Sequence, residues 1–444
     1  MKRKVLSCLI AGTLLTTTLL TGCGSDSSTS GQGTSSSSDS SPSADATTED
    51  ASGEVTLDAG GDTITIWVPP FGSTDETDDE FWQRVLADVA QEVNATLKIE
   101  TVPWENYEEK YLTGISGGTG PDIGYMYNEM LGSYINMGVL AELGSYFTTE
   151  DTADYLYYDY GNINGTQYTL PFVVGAPRIL YCNMDLLATA GYDEVPSTWA
   201  ELEEIALAVE DATDATGFTQ YWGGYFGDLA EIYYPYLWQA GGDIFDSEGN
   251  FIANSPEGVE AAEWVYSLKE KGILTDSVTA MNATAVSDAF KSGDLAMFVS
   301  STTSATKIDE AGINWGFTPF ISYEEGSQGY TFLAVDALVM LDSTKHKEET
   351  AAILKAMTSP SVMEEFHQQR YAMPPINASE GYYDNVNFEA MYEESINNFK
   401  ALPVVENSSQ VYNALFSNLQ RMMMGEITAQ EALDDTAAYA ESVK

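Results

Sequence analysis

The chain runs to 444 residues, with 18 Lys and Arg against 68 Asp and Glu and a formal charge of −50. That length supports two or more lobes rather than one core. The acidity argues against nucleic acid or an anionic lipid surface as partner.

Lys2, Arg3 and Lys4 precede an apolar and hydroxyl-bearing run over 5–20. The run is too short to cross a bilayer as a helix and reads as an export signal. It closes on Leu20-Thr-Gly-Cys23, which resembles the bacterial lipobox. That resemblance implies loss of residues 1–22, lipidation of Cys23, and a two-chain anchor holding the protein on the outer side of the cell membrane. The mature chain then carries 15 cations against 68 carboxylates. Cys8 and Cys23 belong to the export segment, so Cys182 alone stays in the folded body and no internal disulfide is available. Residues 23–60 are rich in Ser, Thr, Asp and Gly and are expected to form a disordered tether.

Order is predicted to begin with a strand over 63–68, stopped by Pro69 and Pro70. The acidic run 75–80 suits a helix N-terminus, and Phe81, Val85, Leu86, Val89 and Val93 mark the helix that follows. A strand over 96–102 and a helix over 107–116 lead to the central stretch Gly117-Gly-Thr-Gly-Pro-Asp-Ile-Gly-Tyr-Met-Tyr-Asn-Glu129. Pro121 ends the preceding helix, 123–127 reads as a buried strand, and Tyr127, Asn128 and Glu129 are expected on the loop after it. Ligands of open α/β sheets sit at that end of the strands. The β-α-β-α-β order predicts an α/β fold, with further strands over 167–171, 179–182 and 332–340.

Leu180-Tyr-Cys-Asn-Met-Asp-Leu-Leu187, Ala190-Gly-Tyr-Asp193 and Val195-Pro-Ser-Thr-Trp-Ala-Glu-Leu202 resemble the middle signature of the family 1 extracellular solute-binding proteins. These are the substrate-capturing lipoproteins of ABC importers, the group that includes maltodextrin-binding protein. Further blocks agree in order: Gly118-Thr-Gly-Pro-Asp-Ile123, Gln239-Ala-Gly-Gly-Asp243, Asp288-Ala-Phe-Lys-Ser-Gly-Asp-Leu-Ala-Met-Phe298, Ser343-Thr-Lys-His-Lys-Glu-Glu-Thr350 and Gly425-Glu-Ile-Thr-Ala-Gln-Glu-Ala-Leu433. The resemblance implies a two-lobed periplasmic-binding-protein-like fold of type II, each lobe a mixed, mostly parallel sheet flanked by helices. One lobe is expected to hold 61–174 plus 321–374 and the other 175–320 plus 375–444. Hinge crossings are expected near 174–176, 319–323 and 374–375.

The family's clefts bind sugar, which needs aromatic platforms beside groups that donate and accept hydrogen bonds. The resemblance places Trp67 or Phe71, Tyr127, Asn128 and Glu129 at the cleft, with Ser301 and Thr303 offering hydroxyls. Met126 stands where some relatives carry a stacking ring. The Gly- and aromatic-rich loop 221–228 packs poorly as helix or strand, which puts Trp222, Tyr225 and Asp228 on the cleft wall. Arg178 either binds ligand or pairs with a carboxylate. Asp336, in an apolar strand, is either paired or faces the cleft. Tyr412 is either platform or core.

The function implied is capture of a carbohydrate, an oligosaccharide for preference, by a monomeric receptor that hands it to membrane permease subunits, with no cofactor and no catalytic group. A carboxylate-dependent glycoside hydrolase and a receptor for a phosphodiester are the competing readings. The sequence has no G-x-S-x-G, H-E-x-x-H or Walker loop, and Arg178 and Arg370 are the only cations near the expected cleft loops.

Overall fold

Alternating and continuous apolar runs lay down two sheets, each with its own core. A computed structural model describes residues 53–71, 76–153, 155, 157–319, 321–369 and 398–444 of the protein. Cys23, the export segment, the 374–375 crossing and Arg370 lie outside them.

The first sheet is built from β1 (Gly53–Leu57), β2 (Thr63–Val68), β3 (Thr96–Thr101), β4 (Ile123–Met126), β7 (Thr169–Gly175) and β13 (Ala334–Met340), in the order β1-β3-β2-β4-β13-β7. All four residues of β4 are buried, as expected of a strand covered on both faces. The second sheet contains β8 (Arg178–Asn183), β9 (Thr216–Phe218), β10 (Leu295–Ser301) and β11 (Trp315–Thr318), ordered β11-β8-β10-β9. Two small pairs complete the strands: β5 (Asn162–Ile163) with β6 (Thr166–Gln167), and β12 (Thr331–Phe332) with β14 (Phe399–Lys400).

Both sheets are mixed, but parallel pairing is confined to β3-β2-β4 and β9-β10. The remaining pairs are antiparallel, so neither sheet is mostly parallel. The strands that return from the other half of the chain enter against the local direction.

Two further expectations are corrected. Residues 53–57 are not tether: Val55 is buried and β1 pairs along the edge of β3. Asn128 and Glu129 lie not on a loop but in the first turn of the helix Asn128–Asn136. Tyr412 sits inside the helix Ser408–Met423, ahead of the last helix, Ala429–Ser442. The acidic run does start a helix, Asp78–Glu92, through a capping box between Thr77 and Glu80.

The chain leaves the first sheet at the end of β7 and enters the second at β8. Gly175 there has φ 145° and Ala176 φ 49°, and a non-glycine residue in that region is held against a steric cost. Helix Asn128–Asn136 crosses the segment before Ser408 so closely that a Cβ on Gly132 would lie 2.0 Å from the Val405 carbonyl oxygen. No helix among the described residues is long and apolar enough to span a membrane.

Candidate functional site

The end of β4 and the start of β8 bring together a cluster of carboxylates, phenols and one guanidinium. On the first sheet's side, the Tyr125 hydroxyl donates to Asp336 Oδ2 at 2.6 Å. The pairing of β13 with β7 slips at Asp336/Ala337, and a bulge of this kind re-aims a side chain. Glu129, 8% exposed, follows β4 by a few residues. The Tyr127 phenol neighbours Glu108 and favours its charged form.

On the second sheet's side, Arg178 opens β8. Its Nη1 donates to the Ala176 carbonyl at 2.7 Å, its Nε lies 3.1 Å from Glu231 Oε1, and its guanidinium stands 5.1 Å from the Phe332 ring centroid. Glu231 also accepts from the Tyr221 hydroxyl. Asp228 Oδ2 accepts the Tyr225 backbone N–H at 2.9 Å. Gly224 is required for that turn, because a Cβ there would meet Asp228 Oδ2 at 1.8 Å.

Burial dominates the electrostatics. It pushes the Glu129 carboxyl up to about 8, helped by the charge of Asp336 and opposed by Arg178. Burial lifts Asp228 to about 7, against the Tyr225 backbone donor. It lifts Asp336 to about 6, against the Tyr125 hydroxyl and then Arg178. Glu231 is raised by burial and held back mainly by Arg178. Glu108 is raised by the same cause and held back by Tyr127.

Aromatic rings wall the cluster. Trp104 lies 6.1 Å from Tyr125 and 6.3 Å from Tyr127, and Tyr127 faces Phe226 of the other sheet's cluster at 6.4 Å. Phe226 stacks with Tyr412 at 6.4 Å, and Tyr234 approaches Tyr412 at 6.0 Å. A groove of about 370 Å³ opens beside Asn128, lined also by Asp243, Lys400 and Leu402.

Tyr127, Glu129, Arg178, Tyr225, Asp228 and Asp336 therefore share one neighbourhood. Asn128 is at its edge, with its amide donating to the Leu402 carbonyl. Ser301 is across the ladder from Arg178, but its hydroxyl is engaged with Thr303 Oγ1 at 2.8 Å. Other sequence candidates are placed in the cores. Trp67 is 4% exposed and meets Tyr111 edge-on at 5.2 Å. Phe71 packs among Tyr125, Phe172 and Phe366. Trp222 is fully buried and stacks on Phe416, so the loop position that suggested a wall residue instead supplies core. Tyr412 is fully buried as well, although its hydroxyl edge lies within the reach of Glu129's charge.

Sequence reasoning missed Tyr125, Glu108, Glu231, Tyr221 and Tyr234. Asp228, Glu231 and Tyr234 recur at a spacing of three, a signal for one helical face, but their neighbours are nearly all apolar or aromatic and mask it.

The model of the bacterial extracellular solute-binding protein family matches residues 73–364. The chain belongs to that family. Among relatives of this solute-binding protein, the maltodextrin-binding protein MdxE of Bacillus subtilis is 25% identical over 69% of this chain and 73% of its own. A sequence from Brucella abortus is 26% identical, over 80% and 87%. The acarbose-complexed GacH receptor of Streptomyces glaucescens superposes with a TM-score of 0.73 at 22% identity, covering 86% of this chain and 98% of that one. The solute-binding protein thus has the two-lobed fold of the periplasmic sugar receptors. Its family and neighbours are binding proteins rather than enzymes.

Proposed function

We propose that this solute-binding protein captures an oligosaccharide between its two lobes and releases it, chemically unchanged, to the permease of an ABC importer. The observation that carries the reading is the cluster itself, in which carboxylates and rings from two separate sheets converge on one buried boundary. Carbohydrate recognition asks for both at once, rings against C–H faces and carboxylates against hydroxyls. The relatives supply the class: MdxE is named for maltodextrin, DasA of Streptomyces coelicolor for diacetylchitobiose, and a Listeria monocytogenes neighbour was solved with cycloalternan.

The lobes would comprise 61–174 plus 321–374, with β1 added at the first sheet's edge, and 175–320 plus 375–444, with Gly175 and Ala176 absorbing the hinge rotation. Cys23 would carry the lipid anchor, and the protein would act as a monomer. Arg178 is committed to Glu231 and Ala176, which disfavours an anionic ligand.

A thermal-shift screen over glycans tests the reading, because a ligand of the folded state raises the melting temperature. Saturable binding near micromolar affinity, about −8 kcal/mol, with the glycan recovered intact, is the expected result. Turnover of the glycan, or stabilisation by phosphodiesters alone, would overturn it. Replacement of Cys23 by Ser should release the protein into the medium, and retention on cells would refute the anchor.

A further inference from the structure

This inference rests on the solute-binding reading and narrows the ligand. Two buried hydroxyls without partners among the described residues and one sparsely accompanied carboxylate meet at the lobe boundary. Glu129 is 8% exposed, and among the described residues its carboxylate has only its own backbone N–H as donor. Tyr234 and Tyr412 are 1% and 0% exposed, and neither hydroxyl has a hydrogen-bond partner among the described residues. The charge of Glu129 acts on both phenols, and their rings are 6.0 Å apart. Buried polar groups without partners are rare because each forfeits its hydration. Two such hydroxyls on neighbouring rings, within reach of the charge of a buried carboxylate, describe a site awaiting a donor.

The surroundings set the sign of that donor. Glu108, Asp228, Glu231 and Asp336 ring the same boundary, and among the described residues the cation acting on Glu129, Asp228, Glu231 and Asp336 is Arg178 in every case. Arg178 is already paired with Glu231 at 3.1 Å. A sugar hydroxyl brings one donor and no charge. A protonated amine brings three N–H donors and a full positive charge, matching one carboxylate and two phenol oxygens, and it gains from the ring faces as well. No trio of His, Cys, Asp or Glu among the described residues is placed as metal ligands are, so the arrangement suits an organic ammonium better than a metal ion.

We infer that the cleft takes an amine-bearing saccharide, with its ammonium seated between Glu129 and the hydroxyls of Tyr234 and Tyr412. Loading ionises Glu129, whose carboxyl burial has pushed up to about 8, so binding near neutral pH expels a proton.

The test is titration calorimetry of the full mature chain at about pH 7, in two buffers of different ionisation enthalpy. The probes are glucosamine oligosaccharides and their N-acetylated counterparts of equal length. The amine form should bind at least about tenfold tighter and release about one proton per ligand. Glu129→Gln and Tyr412→Phe should each shrink that preference, Tyr412→Phe keeping the packed ring so that folding is preserved. Equal or tighter binding of the N-acetylated form overturns the inference and leaves the receptor reading standing. Failure of both forms and of neutral glycans to bind overturns both.

Discussion

Replacing Glu129 by Gln should stabilise the empty protein at neutral pH while weakening its function. The Glu129 carboxyl ordinarily titrates near 4.5 and is pushed up to about 8 in the fold, by burial first and the charge of Asp336 second. A raised carboxyl gives its full contribution below the unfolded value and loses it as pH climbs through the folded one. The stability penalty thus opens above about pH 4.5 and grows to about pH 8. At pH 7 it has accumulated over roughly 2.5 pH units, or about 3 kcal/mol at about 1.4 kcal/mol per unit. Gln is isosteric with the protonated acid and carries no such penalty. Urea unfolding of both proteins should show equal stability near about pH 4.5 and a Gln advantage of about 2–3 kcal/mol near pH 7. A variant no more stable than the parent at pH 7 would refute the claim that burial raises this carboxyl.

Arg178→Met should cost about 3–5 kcal/mol near neutral pH by stranding buried Glu231. Because burial raises Glu231, protonation relieves the loss, and a deficit in urea that stays constant from about pH 8 down to pH 5 would contradict the pairing. Gly132→Ala should lower the melting temperature by several degrees, since its Cβ would meet the Val405 carbonyl at 2.0 Å, an overlap of the kind that costs about 1–3 kcal/mol. An unchanged melting temperature would show that the helix can step away freely. Cys182 is buried and burial raises its thiol, so a thiol reagent should leave the native protein unmodified and label it on unfolding; rapid native labelling would place the thiol at the surface.

Where a run of residues decides its own conformation, the sequence was readable. The strand expected over 63–68 is β2, and the helix marked by Phe81, Leu86 and Val89 runs Asp78–Glu92, with the Thr77 side chain accepting from the Glu80 N–H. Harder were positions where local chemistry allows two answers and a distant element chooses. Tyr127-Asn-Glu129 has the composition of a loop, yet Asn128 and Glu129 open a helix that is bonded to Leu402 and Ser408. Trp222 and Tyr225 stand three apart in the same Gly-rich loop, but one is fully buried while the other is 53% exposed, and nothing in their spacing separates them. Glu231 was invisible because its partner Arg178 lies far back along the chain, at the start of β8.

That partner occupies an unusual post. By gripping the Ala176 carbonyl with one nitrogen and leaning on Glu231 with another, Arg178 ties the strained backbone between the sheets to the acidic wall. On the proposed function, a substitution at residue 178 should therefore alter how the jaws swing as well as what they hold. Affinity lost there should be divided, by measuring association and dissociation separately, into slower closing and weaker grip.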